Sequence, residues 1–430
     1  MSNLVPEGWG TFQLGDVADV RGRIGWKGYK TTDLRDNGPL VIGGTQISKE
    51  HKLDFRKPVY LSREKYEESP EIMVHPGDLL LVKTGNTIGK IALVGNIGEA
   101  CINPNTVIFR IKPPLNQYVY QVFTSEKYQK IIWDFVAVGA QPSVNQANLK
   151  SIHFLTPPLP EQQKIAAILT SVDEVIEKTQ AQIDKLKDLK TAMMQTLLTN
   201  GVGTKHRTGD GESYTPHTEF KDSPVGRIPK SWEVVTLESL VKAEKKITYG
   251  IVQAGPHCEG GVPYIRVSDM SSRHLTRKGM LLTSSDIAKK YERSAVCAGD
   301  IVYALRGMIG HVHIVPSELE GANLTQGTAR ISPSEAINTN YLLWAMRSPY
   351  LILQNELEAK GSTFKEVTLA SLRKMQIAVP SDSEQQFISA TLSSIELKIF
   401  AVEDKLEQSK SLKKALMQDL LTGKVRVKVD

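Results

Sequence analysis

The stretch EQQKIAAILTSVDEVIEKTQAQIDKLKDLKTAMMQTLLT, residues 161–199, decides the fold of this protein. It contains no proline or glycine, and its apolar residues recur at heptad spacing, which is typical of a long helix packed against another helix. A second stretch of the same kind runs from Ser381 until Gly423. Because neither apolar stripe can be hidden from water alone, we predict that the two helices pair with each other in antiparallel order. The heptad positions are Ile165, Val172, Thr179, Leu186 and Met193 with Leu169, Ile176, Ile183 and Leu197 in the first stretch, and Ile388, Ile395, Val402 and Leu416 with Leu392, Ile399, Leu406 and Leu420 in the second.

Each long helix closes one copy of an internal repeat with a period of about 223 residues. The matching motifs keep the same order in both copies, so each copy is one globular domain followed by one helix, and we expect a pseudo-twofold axis to relate the copies. The paired motifs are Pro6–Trp9 and Pro229–Trp232, Pro76–Leu80 and Ala298–Val302, Gly85–Gly89 and Gly307–Gly310, Asn103–Pro113 and Asn323–Pro333, Glu161–Gln163 and Glu384–Gln386, and Leu197–Thr199 and Leu420–Thr422.

The residues before each helix predict a mixed α/β (α+β) domain. Short β-branched runs at 39–42, 79–82, 91–94 and 107–111 are separated by Gly, Pro and Asn, which is typical of strands and turns. Helical segments are predicted around residues 118–136 and 341–358. The predicted boundaries are 1–158 for the first domain, 159–200 for the first helix, 201–226 for a linker, 227–380 for the second domain, 381–423 for the second helix and 424–430 for a C-terminal tail.

Composition restricts the class of protein only broadly. The chain has 430 residues, a formal net charge of +6, 40% hydrophobic and 23% charged residues, as expected of a soluble globular protein with a mild preference for polyanions. No apolar run approaches the roughly 18 residues of a membrane span, and the first residues do not resemble a signal peptide, so we expect no membrane contact and a cytoplasmic location. Cys101, Cys258 and Cys297 are too far apart for a disulfide framework or a four-cysteine zinc site.

The sequence contains no recognisable motif of the common enzyme classes. The turn at 85–91 is one residue too short for a phosphate-binding P-loop, and residues 103–105 do not match the Asn/Asp-Pro-Pro-aromatic motif of an amino-methyltransferase. His311 and His313 have no nearby acid cluster that would complete a metal site. Asp78 and its counterpart Asp300 are predicted to hold a Gly-Asp turn. We therefore predict a chain without catalytic residues, metal or cofactor.

The remaining hypothesis is recognition by loop side chains. Arg, Lys, Asn and Gln on a rigid scaffold read base edges and hold phosphates in DNA. Such residues recur at equivalent loop positions in both copies, which favours a common binding face. The candidates are Gln46, Lys83, Thr84, Asn86, Lys90, Asn105, Gln141 and Asn145 in the first copy, and Arg266, Ser268, Arg306, Asn323, Gln326, Thr363 and Lys365 in the second.

With these features the sequence resembles the specificity subunit of type I restriction-modification systems. The resemblance spans essentially the whole chain. It depends on the two Pro-x-x-Trp starts, PPLPEQQKI at 157–165 with its copy at 384–386, FKDSPVGRIP at 220–229, and the terminal Leu-Leu-Thr-Gly. The second copy departs from the pattern at 380–384, where the Pro-Leu-Pro run is missing.

The resemblance implies a non-catalytic chain with two target-recognition domains. Each domain would read one half of a bipartite target in double-stranded DNA, and the two halves should differ because residues 83–86 and 305–308 differ. The helices, each roughly 54 Å long at 1.5 Å per residue, would set the gap between the halves and dock two modification subunits. Those subunits would use S-adenosylmethionine to methylate adenine, and restriction (motor) subunits would use ATP and Mg²⁺ to cut. The docking candidates are Glu161, Gln162, Gln163, Ile165, Leu169, Val172, Ile176 and Leu186, and Glu384, Gln385, Gln386, Ile388, Leu392, Ile395, Ile399 and Leu406.

Two alternative functions remain open to the sequence. One is a coiled-coil adaptor without DNA contact, against which the large loop-rich domains argue. The other is a targeting chain with its own nuclease or methylase activity, which would need a catalytic motif that the search does not find.

Overall fold

The computed structural model describes residues 5–22, 28–137, 142–208, 211–358 and 366–429. The chain divides into two compact units. Unit 1 comprises Met1–Ala181 and Glu403–Asp430, and unit 2 comprises Gln182–Val402. Each unit therefore contains one globular domain and one segment of each long helical stretch.

The globular domain of unit 1 is built from two four-stranded sheets and a two-stranded ribbon. The sheets have the orders β2-β9-β6-β7 and β4-β3-β8-β5, and β1 pairs with β10. The strands are β1 (Gly10–Gln13), β2 (Ala18–Arg21), β3 (Leu34–Ile42), β4 (Tyr60–Leu61), β5 (Met73–Val74), β6 (Leu79–Val82), β7 (Ile91–Leu93), β8 (Ala100–Ile102), β9 (Thr106–Ile111) and β10 (His153–Thr156), and the short helices are α1 (Leu14–Val17), α2 (Arg63–Glu67), α3 (Leu115–Thr124), α4 (Glu126–Asp134) and α5 (Gln146–Lys150).

Strand β6 shows why the sequence of this domain contains unbroken apolar runs. Leu79 and Leu81 lie in a core with Phe109, whereas Leu80 and Val82 point into the core of the other sheet. A strand covered on both faces is apolar at every position. The predicted strands at 39–42, 79–82, 91–94 and 107–111 are confirmed by β3, β6, β7 and β9.

The first long helix, α6, spans Leu159–Thr199 and has 41 residues. It is followed by Gly201 in the left-handed region with a φ of 69°, which is the usual residue past a helix end. The segment predicted as a linker, 201–226, contains regular structure. Two antiparallel strand pairs begin there, formed by β11 (Thr204–Thr208) with β12 (Gly211–Thr215) and by β13 (Phe220–Ser223) with β14 (Gly226–Pro229), which extends into the predicted second domain.

The globular domain of unit 2 repeats the plan of unit 1. Its sheets have the orders β16-β22-β19-β20 and β18-β17-β21, and β15 pairs with β23. The second long helix of the chain, α11, has 39 residues and extends from unit 2 into unit 1. The strands are β15 (Glu233–Thr236), β16 (Thr248–Tyr249), β17 (Val262–Ile265), β18 (Leu282–Thr283), β19 (Ile301–Ala304), β20 (Val312–Ile314), β21 (Asn323–Leu324), β22 (Thr328–Ile331) and β23 (Gln376–Val379), and the helices are α7 (Ser285–Lys290), α8 (Thr339–Met346), α9 (Pro349–Glu358), α10 (Leu369–Lys374) and α11 (Asp382–Leu420).

Ion pairs show that the long helices run antiparallel inside each unit. In unit 1, Lys413 Nζ lies 2.7 Å from Asp173 Oδ1. In unit 2, Lys190 Nζ lies 2.6 Å from Glu396 Oε1. The helix ends in unit 2 agree with this direction. Glu384, near the start of α11, accepts a hydrogen bond from Val202 N, which lies just after the end of α6. The predicted antiparallel pair is therefore confirmed. No described helix has the length and apolar character needed to cross a bilayer.

Candidate nucleic-acid interface

Three loops of unit 1 come together beyond the ends of β6 and β8. Lys83 N donates to Asn105 O at 2.8 Å, and Val144 N donates to Lys83 O at 2.8 Å. Gly85 N donates to Pro142 O at 2.9 Å. These bonds hold the loops 83–86, 103–105 and 142–145 as one backbone framework.

Unit 2 builds an equivalent framework, in which two of these three hydrogen bonds recur. Leu305 N donates to Gly327 O at 2.9 Å, and Val367 N donates to Leu305 O at 2.8 Å. These bonds match the two made by Lys83, at positions 222 and 223 residues later in the chain. The two units therefore share a rigid scaffold and differ in the side chains that it presents.

In unit 2 the scaffold encloses an open cleft of about 420 Å³. Four predicted DNA-binding residues line it, namely Arg266, Ser268, Arg306 and Gln326. Thr325, which belongs to the same polar loop as Gln326, also lines the cleft. The remaining lining residues were not predicted, because most of them are apolar: Ile251, Val252, Ala254, Tyr264, Val267 and Gly327.

The two arginines of this cleft are not equivalent. Arg266 is held by Asp269, with Nη2 to Oδ1 at 2.7 Å and Nε to Oδ2 at 3.1 Å, and this hydrogen bonding raises the pKa of the guanidinium. Arg306 is half-buried and its side chain has no hydrogen-bond partner in the part of the chain that is described. A Cβ at Gly327 would lie 3.0 Å from Arg306 Nε, so the glycine leaves the room that Arg306 occupies. Arg306 is the free cation of the cleft among the described residues.

Several predicted residues instead hold the scaffold together. Gln46 is only 4% exposed, accepts from Gly43 N at 3.2 Å and donates to Lys57 O at 3.1 Å. Asp269 has the equivalent role in unit 2, where its Oδ2 accepts from Arg266 N at 2.9 Å. Gln46 is therefore a turn-holding residue.

Lys90 and Asn323 are also engaged internally. Lys90 Nζ donates to Gly44 O at 2.9 Å and to Ile47 O at 2.6 Å, which fastens one loop to another. Asn323 is 1% exposed, and its Oδ1 accepts from Ser294 Oγ at 3.2 Å. Neither side chain is turned to solvent.

The other candidates vary in exposure. Asn86 and Asn145 are exposed, although Asn145 Oδ1 caps α5 by accepting from Asn148 N at 2.7 Å. Lys83, Thr84 and Asn105 are half-buried. Gln141, Thr363 and Lys365 lie outside the described residues.

The Gly-Asp turns are structural, as the sequence predicts. Asp78 is buried, accepts from His75 N at 2.8 Å and forms an ion pair with Arg110 at 2.8 Å. Asp300 accepts from Cys297 N at the same distance. Among the described residues no group of three or more His, Cys, Asp or Glu is placed to hold a metal ion.

The docking candidates on the long helices are largely buried within their own units. Glu161 and Glu384 are each 2% exposed, and each accepts a hydrogen bond of 3.0 Å from an indole, that of Trp9 or Trp232. Burial favours the neutral acid of Glu161, but hydrogen bonds from Arg426 and Trp9 outweigh it and lower its pKa. Also buried are Gln162, Ile165, Leu169, Gln385, Ile388, Leu392, Ile395, Ile399 and Leu406, while Val172, Ile176 and Leu186 are half-buried and Gln163 and Gln386 are exposed.

A loop next to the framework of unit 1 is tied to helix α6. Lys52 Nζ lies 3.0 Å from Glu177 Oε1, and Tyr120 Oη donates to His51 O at 2.9 Å. His51 Nδ1 accepts from Ile91 N at 3.2 Å. Burial, together with the charge of Lys413, lowers the pKa of His51 to about 4, so the ring is neutral at pH 7. Residues 51 and 52 thus contact α6, α3 and β7 within unit 1.

The chain thus combines two globular domains of one plan, paired long helices and, in unit 2, a cleft lined by two arginines and a glutamine. A family model described as the type I restriction modification DNA specificity domain matches residues 6–188 and 229–409. The chain belongs to this family.

Known specificity subunits are similar to this chain over nearly its whole length. It is 29% identical to the type I restriction enzyme MjaVIII specificity subunit of Methanocaldococcus jannaschii, over 99% of this chain and 94% of that protein. It is 24% identical to the EcoBI specificity subunit of Escherichia coli, over 94% of this chain and 82% of the relative. Its fold is similar to that of the type I restriction-modification S subunit from M. genitalium, with a TM-score of 0.60, 13% identity, and coverage of 98% and 97% of the two chains.

Proposed function

We propose that this chain is the sequence-reading subunit of a type I restriction-modification complex, and that each unit reads one half of a bipartite, asymmetric target in double-stranded DNA. One observation carries the proposal. The two units share a hydrogen-bonded scaffold but present Lys83-Thr84-Gly85-Asn86 in one and Leu305-Arg306-Gly307-Met308 in the other. A common frame with different side chains suits the reading of two different half-sites.

Arg306 is the residue on which direct reading in unit 2 is proposed to depend. A guanidinium donates two parallel hydrogen bonds to the O6 and N7 atoms of guanine in the major groove. Arg306, which has no hydrogen-bond partner among the described residues, lines the cleft together with Gln326, and an amide side chain pairs in the same way with adenine. Arg266, already bound by Asp269, is better suited to a phosphate contact.

The long helices are proposed to set the gap between half-sites and to dock two modification subunits. Leu412 on α11 is 55% exposed in unit 1, and Leu189 on α6 is 49% exposed in unit 2. These leucines are 223 residues apart, so they occupy the same position of the repeat. An apolar side chain exposed at the same place in both units favours one docking site per unit.

The chemistry of the complex is proposed to reside in its other subunits. The modification subunits would bind S-adenosylmethionine and methylate adenine, and the restriction subunits would use ATP and Mg²⁺. This chain would act in the cytoplasm and bind no cofactor of its own.

Substitution of Arg306 by alanine tests the reading function. Methylated motifs are mapped in a host that carries the intact system, and DNA binding of the assembled complex is measured by gel shift. We expect a non-palindromic motif in two parts. Arg306→Ala should weaken target binding by about 1–3 kcal/mol and relax one half-site only.

Arg293, exposed and outside the cleft, provides the matched control, and Arg293→Ala should leave the motif unchanged. A continuous or palindromic motif, or an Arg306→Ala protein with both half-sites intact, would contradict the proposal.

A further inference from the structure

Trp133 differs from the other tryptophans that the structure describes. Trp9, Trp232 and Trp344 are 7%, 1% and 0% exposed, and each donates its indole N–H to a side-chain oxygen at 3.0 Å. Trp133, on α4, is 48% exposed, and its N–H has no acceptor in the described part of the chain. A large aromatic ring with an unused donor is therefore presented to solvent.

Helix α4 is fastened to the turn 85–89 of the unit 1 framework. Gln129 Nε2 donates to Gly89 O at 2.9 Å and to Phe123 O at 2.7 Å. Gly89 has a φ of 88°, and a Cβ there would lie 2.6 Å from Gln129 Oε1 and 3.6 Å from Trp133 Nε1. The donor edge of the indole thus lies beside the turn that carries the exposed Asn86.

The location of Trp133 matters more than its exposure. Single exposed apolar side chains are common on protein surfaces and need no explanation by themselves. Here, however, the ring has only two rotatable bonds, lies next to a rigid turn and keeps a free N–H. Lys130, one helical turn earlier, is exposed on the same side of α4, whereas Asp134 lies about 100° further round the helix. This combination suits contact with a polyanion.

We propose that Trp133 is a DNA-positioning residue, which packs its ring on a deoxyribose of the target and donates its indole N–H to the adjacent phosphate. The inference rests on the proposed function, and it adds a residue that polar motif searching does not find. Contacts to sugar and phosphate fix the register of a protein on the duplex without reading sequence. Trp133 would therefore place the loop with Asn86 against its half-site.

The test uses this chain assembled with its modification subunits, and the variants Trp133→Phe and Trp133→Ala. Trp133→Phe keeps a ring and loses the N–H. It should weaken binding roughly ten- to a hundredfold, as expected for the loss of one hydrogen bond to a charged phosphate, and equally for target and non-target duplexes. Trp133→Ala should weaken DNA binding further, because it removes the ring as well as the N–H. Phe12→Ala, which removes an aromatic residue of unit 1 that is 43% exposed on β1, should bind as the unchanged protein does.

Fluorescence provides a second readout that does not depend on activity. Acrylamide should quench the unchanged complex more than Trp133→Phe, and saturating DNA should reduce that difference to near zero.

The outcomes separate this proposal from the proposed function. If both Trp133 variants bind DNA as tightly as the unchanged complex, or if DNA does not protect Trp133 from acrylamide, the positioning role is wrong and the reading function stands. Loss of a modification subunit from Trp133→Ala, without a change in DNA affinity per assembled complex, would also overturn it. If the unchanged complex fails to bind any duplex, the proposed function itself fails.

Discussion

Each unit contains one equivalent buried glutamate, and the two units provide it with different hydrogen-bond donors. Glu161 and Glu384 are buried carboxylates that each accept an indole N–H at 3.0 Å. The remaining lone pairs are satisfied by the guanidinium of Arg426 in unit 1 and by His217 with two backbone N–H groups in unit 2. A buried carboxylate needs such partners because its desolvation is costly. The Pro-x-x-Trp and Glu-Gln-Gln motifs thus recur because each tryptophan is bonded to its glutamate.

His51 makes the stability of unit 1 sensitive to mild acid. Its pKa is about 4 in the folded chain and 6.5 in a free histidine, so between these values the unfolded chain binds more protons. Stability should therefore be complete above about pH 6.5 and fall as pH drops towards 4, by at most about 3 kcal/mol. The charged groups that act on the ring are Lys413, Glu50, Asp173 and Lys90.

The measurement is urea unfolding of the chain at pH 7 and pH 4.5, with unit 1 followed by amide exchange. His51 has a φ of 63°, a left-handed conformation that asparagine tolerates, so His51→Asn is the suitable variant. It should lose less stability between the two pH values than the unchanged chain. Equal losses would exclude His51 as the cause.

At the scale of elements, the long helices combine internal packing with an exposed face. Most of their heptad leucines and isoleucines are buried, for example Leu169 and Leu392, each at 0% exposure, and the others are half-buried. Leu412 and Leu189 lie off that face and remain exposed at the same position of the repeat. Residue type alone does not separate the buried group from the exposed one, because both contain leucine, whereas heptad position does.

Leu412→Glu should remove one of two modification subunits from the assembled complex, because a buried unpaired charge would oppose docking. Native mass spectrometry of the reconstituted complex measures the stoichiometry. Leu189→Glu should have the same effect at the other site, and the double variant should bind none. Ser411→Glu places the same charge at an exposed neighbour about 100° round the helix and should keep both subunits. Full occupancy in Leu412→Glu would refute docking at this position.

At the scale of the whole molecule, both α6 and α11 contribute residues to unit 1 and unit 2. If the helices set the gap between half-sites, the gap should follow their length. Duplication of one heptad in each helix, residues 182–188 and 396–402, adds about 10.5 Å and keeps the apolar faces aligned. The gap should increase by about three base pairs, since a helical turn of DNA spans roughly 34 Å.

Methylome sequencing of a host with the duplicated chain reports the gap directly. Duplication in α6 alone shifts one apolar stripe against the other, and we expect that control to lose modification. An unchanged gap after paired duplication would show that the helices do not measure it.

The sequence by itself determined the features that depend on period and local chemistry. Heptad spacing, the absence of Pro and Gly, and the glycines after each helix predicted α6 and α11 and their antiparallel pairing. β-branched runs predicted β3, β6, β7 and β9. The repeat predicted two similar domains, because equivalent sequences fold into equivalent backbones. These signals are local, so a single sequence carries them.

Only the tertiary structure decided which polar residues face solvent. Gln46, Lys90 and Asn323 were predicted to bind DNA together with Arg306, yet the fold engages the first three in hydrogen bonds within their own units. The side chain of Arg306 has no hydrogen-bond partner among the described residues. Trp133 was not predicted, since an aromatic residue in a helix is usually in the core. Exposure depends on contacts between segments distant in sequence, and residue type alone does not encode those contacts.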